Sequence, residues 1–175
     1  MNVVIVAFAV LIVTAFPPHR VAQAARINQP DNESMILRRA AANVQRVEQE
    51  WRFLSTICNC PPLMHEQTGV ASGIWDQPGT GTSIRTIAMR VHAITNADAA
   101  ARWIDRTIRE NIVADGWRIS RYEFGDGGYT ATYRDGKQYE DTFRKGRYLG
   151  FVSGESEGDV HRFASYLLAA IPKSE

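Results

Sequence analysis

Apolar and polar positions alternate most clearly between Trp117 and Ile171. Residues 117–124, 129–134, 137–144 and 147–153 read as short strands, because successive side chains on a strand face opposite ways. Gly125-Asp126-Gly127-Gly128 marks a loose turn, Asp135-Gly136 a two-residue hairpin, and Lys145-Gly146 a further turn. Val160, Phe163, Ala164, Leu167, Leu168 and Ile171 then form one stripe at helical spacing. Asp159 or Ser156 is placed to cap that helix.

Two-residue turns put Tyr129, Ala131, Tyr133, Glu140, Thr142, Leu149 and Phe151 on one face of this meander. Thr130, Thr132, Tyr139, Phe143, Tyr148 and Val152 share the other. Neither set is wholly apolar. Either both faces are partly covered, or one carries a tyrosine-lined groove, and tyrosine suits half-wet surfaces. Tyr129, Tyr133 and Phe151 are therefore the candidate ligand-binding residues. The same rings also serve as cross-strand pairs that do no more than stabilise a sheet.

Upstream, Leu37, Ala40, Val44, Val47, Trp51 and Leu54 recur at spacings of three and four. They predict one helix, capped by Asp31 or Asn32 and stopped by Pro61-Pro62. Residues 61–81 are rich in glycine and predict an irregular connection with at most one short strand, over 70–75. Residues 83–94 alternate, Ile87, Met89, Val91 and Ala93 opposing Thr86, Arg90 and His92. A second helix follows, capped by Asn96 or Asp98. Ala97, Ala101, Ile104, Ile108 and Ile112 line its buried side with Ala100 beside them, and Asp115-Gly116 ends it. The fold class is α+β, an antiparallel sheet of about five strands packed with helices in the order α-β-α-β-β-β(-β)-α.

The first residues change the picture. Residues 3–16 are uncharged and apolar, Pro17-Pro18 follows, and Ala22-Gln23-Ala24 offers the small residues a signal peptidase accepts. The run falls short of the roughly 20 residues a membrane span needs. Residues 1–24 are expected to be a signal peptide and 25–175 a single α+β domain, exported to the periplasm or secreted. An uncleaved leader would be the one route to a membrane.

The 175 residues carry 20 basic and 19 acidic side chains, and a leader holding Arg20 alone would leave 19 against 19. A near-neutral domain lacks the surplus of lysine and arginine with which proteins displace counterions from nucleic acid. No nucleic-acid partner is expected.

Cys58 and Cys60 stand as C-x-C before Pro61-Pro62, with His65 nearby. Three readings stand side by side. One is a small-ring disulfide, which removes little chain entropy. Another is a soft-metal site of two thiolates with His65 or Met64. The third is thiol exchange or an intermolecular bridge. Ser153 misses the G-x-S-x-G elbow by one residue. His92 and His161 could meet Asp159 or Glu155 in space, and His161 is expected to face solvent. Asp126, Asp135 and Asp141 do not follow a calcium-loop spacing, and Gly79-Thr80-Gly81-Thr82 lacks the lysine of a phosphate loop. No catalytic residue and no cofactor is assigned.

Residues 143–154 (FRKGRYLGFVSG), followed by a helix that contains Ala164 and ends at Ile171, resemble the last hairpin and helix of secreted bacterial α/β domains. Extracellular sensor domains and small secreted lipoproteins are similar. The likeness covers about the last 30 residues and implies an extracytoplasmic, non-catalytic role, with no functional residue carried over. The sequence therefore favours an exported accessory protein that binds a small ligand or a partner protein. The alternative is a periplasmic thiol-redox or soft-metal protein built on Cys58 and Cys60. A hydrolase is the third reading.

Overall fold

Two left-handed glycines set the turns of the C-terminal meander. Gly136 (φ 68°) and Gly146 (φ 57°) occupy backbone conformations that side-chain-bearing residues avoid. The computed structural model describes residues 32–54, 58–60, 66–79, 84–108, 110 and 116–173. The expected leader lies outside the described residues.

In chain order the elements are α1 (Asn32–Val47), β1 (Arg52–Phe53), β2 (Cys58–Cys60), β3 (Gln67–Pro78), β4 (Ile84–Ile94) and α2 (Ala97–Thr107). β5 (Arg118–Tyr122), β6 (Gly128–Thr132), β7 (Tyr139–Lys145), β8 (Tyr148–Gly154) and α3 (Glu157–Ala170) complete them. One antiparallel sheet runs β1-β3-β4-β8-β7-β6-β5, with β2 also paired to β3. The sheet thus has seven strands in its path rather than about five. The additional ones come from 52–78, where only one short strand was expected.

Each face of the sheet buries its own core. Beneath α1 and α3, Leu37, Ala40 and Val44 of α1 meet Trp75, Met89, Phe143 and Val152 of the sheet, and Phe163 and Leu167 of α3. Phe163 stands edge-on to both Trp51 (4.8 Å between centroids) and Trp75 (6.2 Å). On the opposite face α2 lays Ala99, Ala100 and Ile104 over Ile94, Tyr129, Ala131, Leu149 and Phe151.

Polar contacts lock the helices. Asn96 caps α2 by accepting from the Ala99 amide (2.8 Å), and Ser156 caps α3 by accepting from that of Asp159 (3.3 Å). Lys145 Nζ donates to the carbonyls of Leu168 (3.1 Å) and Ile171 (2.6 Å) at the end of α3. Arg162 Nε approaches Glu48 Oε1 to 2.6 Å, and Arg85 Nη1 donates to Asp159 Oδ2 (2.9 Å), tying the end of α1, the start of α3 and β4 together.

Three expectations are corrected. The first helix ends at Val47, not Leu54, and a turn brings Trp51 back into the core (4% exposed) while Val47 (57%) and Leu54 (58%) face water. Residues 67–78 form a twelve-residue strand rather than a connection. A Cβ at Gly69 would strike the Glu33 carboxylate and one at Gly73 the Phe53 ring, so these glycines mark close approaches inside a strand. The buried side of α2 is turned toward Ala99 and Trp103. Ala97 is exposed, Ala101 and Ile108 are half-buried, and Ile112 lies outside the described residues. Trp103 sits 5.3 Å from the Phe151 ring, and that contact sets the rotation.

Phe143 and Gly150 are cross-strand partners, and the Phe143 ring occupies the space a Cβ at Gly150 would need. Gly150→Ala is expected to lower folding stability by about 1–3 kcal/mol in urea denaturation, the cost of overpacking a filled core. Gly158→Ala, in a helical turn with nothing within 4 Å of the new methyl, is the control and should be neutral or mildly stabilising.

Candidate functional site

Strand pairing places Tyr129 opposite Thr142 and Thr142 opposite Phe151, so the faces of the meander follow the expected alternation. Burial divides the three aromatic candidates. Tyr129 (1% exposed) and Phe151 (6%) are core residues under α2, while Tyr133 (38%) stands at the rim, edge-on to Trp117 at 5.1 Å. Among the described residues they are not gathered in one recess.

Tyr129 borders a groove of about 660 Å³ between α2 and the β5–β6 hairpin. Its walls are Ala101, Ile104, Ile108 and Ile119, with Asp105, Glu123 and Asp126 at the edge. Arg144, also at that edge, donates from Nη2 to the Asp126 carbonyl (2.9 Å). The Tyr129 hydroxyl is buried beside Thr142 without a hydrogen bond of ordinary geometry, and burial pushes its pKa up.

Cys58 and Cys60 both lie in β2, opposite Ser72 and Val70. Extended backbone sets residues two apart at about 6.6 Å, the far end of the range a disulfide spans. Their side chains and His65 lie outside the described residues. Among the described residues no group of three or more His, Cys, Asp or Glu side chains is gathered to hold a metal ion. Nor, among them, is any helix long and apolar enough to cross a membrane.

His161 is not a free surface residue. Its Nδ1 lies 2.6 Å from Oδ2 of buried Asp141, whose Oδ1 accepts from Thr130 Oγ1 (2.7 Å). The carboxylate stands between hydroxyl and imidazole, so Thr130 gives its hydrogen bond to Asp141 and the ring does not act as its base. The chain of contacts fastens α3 to β6 and β7.

The α2 face holds a second recess, beyond the reach of that helix. Thr86 and Ala88 of β4, Ser153 of β8 and Glu140 of β7 form its floor, Trp117 and Gln138 wall it, and it encloses about 350 Å³. Glu140 and Ser153 are cross-strand partners, so the serine hydroxyl neighbours a carboxyl group rather than a histidine. Glu140 is largely withdrawn from water, its side chain 21% exposed. Oε1 accepts from Thr142 Oγ1 (3.2 Å), and Oε2 faces the half-exposed Arg90 guanidinium at 3.8 Å, beyond hydrogen-bond length. Burial holds the Glu140 pKa above the ordinary carboxylate value. Arg90 and the Thr142 hydroxyl offset this in part, and Asp141 adds to it.

His92, two residues along β4 from Arg90, lies inside the same face under α2. Its ring is 4.8 Å from that of Phe151, Nδ1 meets Gln67 Nε2 at 3.3 Å, and Nε2 has no hydrogen-bond partner among the described residues. Burial, with Arg90 adding, lowers its pKa from 6.5 to about 4. The alternation had placed it on a polar side, and α2 turns that side into core.

No protein-family model, no curated protein and no solved structure matches the chain.

Both titrations carry a sign. Between pH 6.5 and about 4 the unfolded chain takes up a proton at His92 that the folded chain refuses, so stability should fall with pH across this window. The loss is about 3 kcal/mol, read by urea denaturation, and His92→Gln should flatten it. Glu140 acts the other way. Its raised pKa means ionisation weakens the fold, so Glu140→Gln should raise the thermal midpoint at pH 7, and the gain should vanish below the unfolded value of 4.5.

Proposed function

We propose that the chain is an exported, non-catalytic binding protein that takes a small ligand in the Glu140 recess, on the part of the α2 face that α2 leaves open. Export rests on the apolar run at 3–16 and the Ala22-Gln23-Ala24 site. The observation that carries the binding reading is Glu140 itself. A carboxyl group is drawn out of water at the floor of an open recess, with one hydrogen bond and a guanidinium at 3.8 Å. Such a group weakens the fold when ionised, and groups of this kind gather where a ligand completes their environment. Trp117 beside it adds an apolar surface at the same opening, the combination small-molecule sites use.

A thermal-shift panel of amines, sugars, amino acids and short peptides tests the reading. At least one class should stabilise the wild type, by about 2.7 kcal/mol at a hundredfold excess over Kd. That stabilisation should be lost in Trp117→Ala. Chemical conversion of a stabilising compound, or stabilisation that survives in both Trp117→Ala and Glu140→Gln, would overturn the proposal. Sequencing the exported protein should find a start just after Ala24; Met1 on the mature chain would count against export by cleavage.

A further inference from the structure

We infer that the ligand of the Glu140 recess is a small organic cation, a primary or quaternary ammonium with apolar substituents, seated between the Glu140 carboxylate and the Trp117 ring. This rests on the reading of the recess as the binding site and names the chemistry it selects. Two carboxylates line the recess, Glu140 on the floor and Glu155 at the mouth. An anion would meet both at close range, and like charges in a partly desolvated site repel strongly. A neutral sugar could donate hydroxyl hydrogen bonds to Glu140 but would leave the buried negative charge uncompensated. An ammonium group supplies that compensation, and its alkyl substituents lie on the indole, whose face attracts cations. Tyr133, edge-on to Trp117, props the ring in place.

The resident arginine does not fill this role. Arg90 stays half exposed, stacks over the Phe151 ring at 5.7 Å, and stops 3.8 Å short of Oε2. It reduces the negative potential without occupying the recess. The charged groups that face Glu140 are Arg90 from β4 and Glu155 beyond β8, with Asp141 adjacent on β7.

The test is an NMR titration of the full domain with tetraethylammonium and, separately, glucose, following the Trp117 indole signal. Tetraethylammonium should shift it saturably. Affinity should fall at least tenfold in Glu140→Gln and in Trp117→Ala, and rise severalfold in Arg90→Gln at pH 8, where the competing guanidinium is gone. Calorimetry on the wild type at pH 5 in two buffers should show proton release on binding, because the cation drives ionisation of a carboxyl group that burial had kept partly protonated. Binding with no proton release, or unchanged in Glu140→Gln, overturns the inference. If glucose shifts Trp117 and the ammonium does not, the ligand class is wrong while the recess remains the site. If no compound of the earlier panel acts at Trp117, the site reading falls as well.

Discussion

The register of β7 against β8 is the constraint on which the other features depend. Phe143 lies across Gly150, and the turn at Gly146-Arg147 holds Lys145 opposite Tyr148. A slip of one residue would turn Asp141 and Phe143 out of the principal core and drive Glu140 and Thr142 into it. With the observed pairing, Asp141 faces α3 and receives His161, while Glu140 emerges on the opposite side beside Ser153. The pleat of β7 separates two acidic neighbours, and the register gives them different tasks: Asp141 fastens a helix, and Glu140 lines an opening.

The two faces of the sheet are covered unequally. Two helices bury one face, with Phe163 meeting both tryptophans of that core. Among the described residues, the other receives the eleven residues of α2, which protect His92, Tyr129, Leu149 and Phe151. On the same face Ile74 of β3 and Ile84 of β4 remain exposed, and Glu140 sits at the margin between covered and open sheet. A carboxyl group there is shielded enough to lose hydration and open enough to be reached. The position of one short helix produces that intermediate state.

The C-terminal part of this arrangement was legible because turn chemistry and alternation agree. Asp135-Gly136, Gly146 and the stripe from Val160 to Ile171 point to one answer, and the sheet faces follow from them. The edge region was not. Trp51 continues the helical spacing of Leu37, Ala40 and Val44 by coincidence, since a turn rather than a helix carries it inward. Gly69 and Gly73 read as loop residues, yet they give room to Glu33 and Phe53 against a long strand. Of the site, alternation placed Tyr133 and Glu140 on one face but singled out the aromatic side chains. Nothing local marks Glu140, because its burial comes from Thr86, Trp117 and Ser153, which are remote in sequence or on another strand.

Two short strands, β1 and β2, pair with the outer margin of β3. Their described lengths are two and three residues, and β5 at the opposite margin has five. Short borders of this kind are poor templates for adding another chain. Among the described residues, the margins of the sheet thus present little length along which a second copy could pair edge to edge.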